Sequence, residues 1–204
     1  MNGVPVRLTN FVDFVCKTAT QKLTVVRKQK KENAEDYEVY ADFYKAVREG
    51  IVDMHKRKLP KSALDAVLKG LSDKRKEQAY AVIIAGYKKF LGRKQVEWFD
   101  PPKDDWTHAG LAVRLNPEVG LVINGERHAI KLYMRETPKL RKANADLITH
   151  LMESVLGVQK PNPPRFCVLD VRHGNLFAAP ESADGLMTIA HAEAACFAEM
   201  YRGA

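Results

Sequence analysis

Two side chains stand where the surrounding pattern gives them chemical weight. Lys131 lies inside the apolar run 130–134, IKLYM, and Glu118 opens the short apolar segment before it. A buried lysine is rare, so Lys131 has two readings. It is an edge residue whose charge blunts strand-to-strand aggregation, or it is a site lysine set against a dry sheet near Glu118. Two basic clusters offer phosphate contacts. Lys74, Arg75 and Lys76 fall in the first turn of one expected helix, and Lys139, Arg141 and Lys142 in the first turn of another. The helix dipole disfavours cations at that end, so a bound phosphate is one reason for the first cluster.

The rest of the catalytic vocabulary is missing. There is no P-loop, no dinucleotide fingerprint, no His-Glu-x-x-His and no Gly-x-Ser-x-Gly. His55, His108, His128, His150, His173 and His191 never stand at paired metal-ligand spacing, so they read as surface or cap residues and no metal ligand is expected. Cys16, Cys167 and Cys196 are widely spaced, with no Cys-x-x-Cys pair. They read as reduced structural thiols of a cytoplasmic protein.

The elements that must hold Glu118 and Lys131 are read from residues 111–134. Side chains on a strand alternate between faces. Leu111, Val113 and Leu115 share one face, then Val119, Leu121 and Ile123, then His128, Ile130, Leu132 and Met134. Asn116-Pro117-Glu118 and Asn124-Gly125 supply turns. A three-stranded meander follows, with Lys131 on its opposite face.

Helices surround this segment. A helix over 8–21 has Thr9 or Asn10 as its cap, and 22–31 is a basic connector or a loop that meets phosphates. The stripe Tyr37, Tyr40, Tyr44, Val47, Ile51 and Met54 predicts a helix over 33–56. Its tyrosines read as core, with base stacking the alternative. A shorter helix follows Pro60, and another starts at Ser72 with Ala79, Val82, Ile83, Gly86, Tyr87 and Phe90 inward. Residues 95–99 form a short strand and 100–106 a connector. Beyond the meander come a helix from Pro138 to Leu156, a strand over 165–172, a return strand over 176–179 and a final helix over 186–201 capped by Ser182 or Asp184.

The expected fold class is therefore α+β: a helical region over 1–98, then a mixed region over 99–204 holding the central sheet. Charge follows the same division. Residues 1–98 carry 21 Lys and Arg against 12 Asp and Glu, 21 − 12 = +9, whereas residues 99–204 carry 12 against 13, 12 − 13 = −1. A basic region beside a neutral one suits a polyanion, DNA or RNA first, with solubility alone as the bland alternative. No apolar run is long enough to span a membrane. The first 14 residues lack the pattern of a signal peptide.

A helix, three strands, a helix and a strand, with Glu118 opening the second strand and Lys131 on the third, resembles the core of the PD-(D/E)XK nuclease superfamily. That family places an acid at the start of its second strand and Asp/Glu-x-Lys in its third. The resemblance covers roughly residues 105–180. It implies Glu118 and Lys131 as catalytic residues, a divalent metal such as Mg2+ held by two acids, and a lysine that polarises the phosphate. The acidic place two residues before Lys131 is Ala129. A metal would then need another acid, such as Glu126 or Asp146.

Two function classes follow. One is a nucleic-acid-binding or processing protein with a degenerate nuclease-like core, using Lys74, Arg75, Lys76, Arg141 and Lys142. The other is a non-enzymatic module that binds a protein partner.

Overall fold

A computed structural model describes residues 3–34, 42–158, 161–180 and 182–204. The fold is α+β, built on two sheets. Strand β1 (Val4–Arg7) leads into α1 (Leu8–Val15) and α2 (Ala19–Ala34). Then come α3 (Lys45–Lys56), a 3-10 segment (Lys61–Leu68) and α4 (Lys74–Leu91). Strands β2 (Val96–Trp98), β3 (Asp104–His108), β4 (Leu111–Leu115), β5 (Val119–Ile123) and β6 (Glu126–Tyr133) follow. Helix α5 (Lys142–Met152) runs into a π-helical turn (Glu153–Gly157), and β7 (Arg165–Asp170), β8 (Asn175–Ala178) and α6 (Leu186–Gly203) complete the chain.

The larger sheet has the order β2-β5-β6-β7-β8. Pairings are antiparallel except β6 with β7, which are parallel and joined through α5. The Asn124-Gly125 turn closes the β5–β6 hairpin, with both residues at positive φ (53° and 85°), as a two-residue primed turn requires. The smaller sheet has the order β1-β4-β3, with β1 parallel to β4.

The expected meander is corrected here. All three of its strands form, but β4 joins the smaller sheet, and the strand beside β5 is β2. Alternation decides which face a strand buries and says nothing of its neighbour.

Each face of the larger sheet has its own core. Val119, Leu121, Ile130, Leu132, Cys167 and Leu169 pack under α3, α4 and the 3-10 segment. Ala129, Tyr133, Phe166 and Val168 face α1, α5, α6 and the smaller sheet. Both cores draw residues from either side of position 98. The rings of His108 and His191 stack at 4.0 Å beside Trp106, tying α6 to β3. Helix α4 lies so close to the β7–β8 turn that a Cβ on Gly86 would stand 2.0 Å from the Val171 carbonyl oxygen.

Several boundaries differ from the sequence reading. The 22–31 connector is helical, part of α2, and buries only Val25, Val26 and Gln29 among those ten residues. The first helix breaks after Val15, and Thr9 and Asn10 lie inside it, serving other partners than its N-terminus. Helix α3 starts at Lys45, and Tyr37 and Tyr40 lie outside the described residues. Asp73, not Ser72, caps α4, accepting from the backbone N–H of Arg75 at 2.9 Å and of Lys76 at 3.4 Å. Val82 is exposed, whereas Tyr80 and Ile84 are buried. The 100–106 connector ends early, because β3 begins at Asp104 and buries Trp106. Helix α5 starts at Lys142, so Lys139 and Arg141 precede it. Gly185, at φ 73°, takes the N-cap place of α6 without a side-chain cap.

Candidate functional site

Lys131 is not an edge residue. It sits on β6 between β5 and β7 and is 2% exposed. Ladder pairing of β5 with β6 runs from Ile123↔Glu126 to Val119↔Ile130. Glu118 comes next on β5's side and turns its carboxylate onto β6. Oε1 receives the Lys131 ammonium, and Oε2 accepts the Leu132 backbone N–H at 2.8 Å. The carboxylate thus extends the ladder where the strand itself has ended. The Lys131 Nζ also donates to Thr9 Oγ1 at 2.8 Å, so α1 completes the lysine's shell.

A cavity of about 320 Å3 opens over this corner, lined by α1, the segment before α3 and the ends of β5 and β6. Its wall holds further ion pairs: Arg135 with Asp13, Arg48 with Asp42 at 2.6 Å, and Arg7 and Lys28 with Glu32, the Lys28 pair at 3.5 Å. Each of these cations, Lys131 included, therefore faces a carboxylate. Burial raises the Asp42 carboxyl, but the hydrogen bond and charge of Arg48 outweigh it and hold the group below its ordinary range. At Asp13 burial dominates and raises the carboxyl, with Arg135 offsetting part of the effect.

Thiol chemistry does not fit this cavity's surroundings. Burial, aided by the Asp13 charge, pushes the nearby Cys16 thiol up to about 12, and burial does the same to Cys167. A nucleophilic cysteine needs a depressed value.

A metal does not fit either. Ala129 is fully buried on the core-facing side of β6, with no ligand atom to offer. Both Glu118 oxygens are engaged within the protein. Glu126 opens β6, five residues before Lys131, and pairs with Arg165 at 3.4 Å. Asp146 is on α5, paired with Lys142 at 2.6 Å. Among the described residues no three His, Cys, Asp or Glu side chains form a metal site.

The predicted basic residues divide. Lys74 and Arg75 are exposed on the first turn of α4, and Lys76 lies 5.9 Å from the ring centre of Phe43, a residue of the cavity wall. That turn therefore adjoins the Glu118–Lys131 corner. Arg141 and Lys142 are exposed at the start of α5, which packs on the opposite face of the larger sheet from α4.

Sequence reasoning missed Thr9, Asp13, Asp42, Arg48 and Arg135. Asp13 carried a signal, an acid inside the apolar stretch 11–15. It also missed how narrowly the charge is placed. Residues 42–94, spanning α3, the 3-10 segment and α4, hold 14 Lys and Arg against 6 Asp and Glu, 14 − 6 = +8. That equals the formal net charge of the entire chain.

No helix among the described residues is long and apolar enough to cross a membrane. The chain matches no family model, and neither a curated protein nor a solved structure matches it significantly.

Proposed function

We propose that the chain binds DNA or RNA through the basic α3–α4 layer, beside a nuclease-like corner that does not support metal-dependent cleavage. The observation that carries this is the concentration of the whole net charge, +8, in residues 42–94. Clustered cations on one layer bind a phosphate backbone by releasing its condensed counterions. Lys74, Arg75 and Lys76 supply the contacts nearest the corner. The N-terminal dipole of α4 works against them, and an approaching phosphate reverses that penalty.

The nuclease-like part has support in topology. Taking only the larger sheet and its flanking helices, and leaving out β3 and β4 of the smaller sheet, which intervene between β2 and β5, the chain runs α4, β2, β5, β6, α5, β7: a helix, three strands, a helix and a strand. Glu118 opens the second of these strands and touches Lys131 on the third. The chemistry departs at Ala129 and at the closed Glu118–Lys131 pair. A lysine whose ammonium already serves Glu118 and Thr9 is poorly placed to polarise a phosphate.

The test is binding and cleavage measured together, with labelled single- and double-stranded DNA and RNA, in Mg2+ and in EDTA. The expected result is binding that falls steeply with salt and no metal-dependent product. Cleavage in Mg2+ that disappears in both Glu118→Ala and Lys131→Met would overturn the second half. No binding at low salt, with salt-insensitive association to a protein, would make the chain an interaction module.

A further inference from the structure

A second cavity, about 540 Å3, opens at the far end of α3, between the C-terminal ends of α3 and α4 and strand β2. Sites of this size hold small organic ligands. Met54 and Leu91 give it a buried apolar floor, and Trp98 a half-buried aromatic wall. Lys58, Lys61, Arg93 and Lys94 ring it.

Two of these cations are engaged. Lys61 Nζ donates to the Gly92 carbonyl at 3.0 Å, and Lys94 Nζ to the Phe90 carbonyl. They offset the carbonyl end of α4, which would otherwise repel an anion. Lys58 and Arg93 differ: both are exposed, and among the described residues neither side chain has a hydrogen-bond or ion-pair partner. Around the first cavity the cations are matched by carboxylates; here positive charge is left over. Unpaired cations beside an aromatic wall suit a ligand with both an anionic group and a flat ring.

We propose that this cavity binds a nucleotide. The base lies against Trp98, and the phosphate sits between Lys58 and Arg93. The nucleotide is either free or the phosphorylated end of a nucleic-acid strand. The site deepens the nucleic-acid reading through the same basic layer, and it is independent of the Glu118–Lys131 corner.

Tryptophan emission provides the test. The chain has two tryptophans, and Trp106 is buried in the other core. Titration with AMP, GMP, CMP or UMP should quench emission saturably, and inorganic phosphate alone should not. Lys58→Gln and Arg93→Gln should each weaken nucleotide binding about tenfold, the loss of one charged hydrogen bond, with the thermal midpoint unchanged. Trp98→Phe should remove the quenching, while calorimetry still records binding heat. Quenching only by a 5′-phosphorylated oligonucleotide, sensitive to the same two substitutions, would assign the site to a strand end. No quenching by either source, or quenching indifferent to Lys58→Gln and Arg93→Gln, overturns the proposal. If salt-dependent polynucleotide binding persists in that case, the cavity assignment alone falls. If mononucleotides bind here and polynucleotides bind nowhere, the proposed function falls and this site stands.

Discussion

Glu118 and Lys131, 13 residues apart, meet as a nearly dry ion pair, with side chains 12% and 2% exposed. The contact closes the end of the β5–β6 ladder as well as neutralising the lysine, because the second carboxylate oxygen holds the Leu132 N–H. Removing one partner of a buried pair leaves the other charge uncompensated.

Lys131→Met should therefore destabilise the fold by about 3–5 kcal/mol. Adding Glu118→Gln, which keeps an acceptor for Leu132, should recover most of the loss. Urea unfolding of the two single variants and the double variant checks this as a cycle. Equal and additive losses would show that the two side chains do not interact.

His55 makes stability depend on pH. It is buried on α3 with its Nε2 2.7 Å from the Tyr87 hydroxyl, and burial lowers its value from 6.5 to about 4. The unfolded chain takes up a proton below 6.5 that the folded chain refuses until about 4. The stabilisation is thus complete above 6.5 and is lost as pH falls through that window. The loss should reach about 3 kcal/mol, in proportion to the shift. Urea midpoints from pH 7.5 to 4.5 should show the decline for the wild type and a flatter profile for His55→Asn. Parallel profiles would remove His55 as the cause.

Gly86→Ala should destabilise by roughly 1–3 kcal/mol or more, because the new methyl meets the carbonyl oxygens of Val171 and Arg172. Thermal unfolding measures it. A rise in the midpoint, as expected for Gly→Ala in an open helix, would mean that α4 does not lie against that turn.

Local chemistry made much of this fold legible. Asn124-Gly125 marked the β5–β6 hairpin, and with it the spacing that brings Lys131 past Glu118. Partners distant in sequence were not legible. Nothing local says that Val6 lies beside Val113 in a parallel pair, or that β4 leaves the meander. Helix α2 was hidden because long basic side chains cover most of it and its apolar stripe is short. The site failed in the same way: Thr9 reaches Lys131 across 122 residues, and Arg135 reaches Asp13 across 122. Of the two readings of Lys131, the edge residue fails, and the sequence could not decide between them because the cover over β6 comes from α1, at the other end of the chain.

The measurement that bears most directly on the central claim is the salt dependence of nucleic-acid binding for the wild type and for Lys74→Glu/Arg75→Glu/Lys76→Glu. These side chains stand on an exposed turn whose Asp73 cap is untouched by the change. The wild type should bind at low salt, with log K falling linearly against log salt. Each lost phosphate contact should flatten that slope by about 0.7–0.9, so the triple variant should bind more weakly and with a visibly shallower line. An unchanged slope and affinity in a folded triple variant would contradict the claim that the basic α3–α4 layer carries the binding.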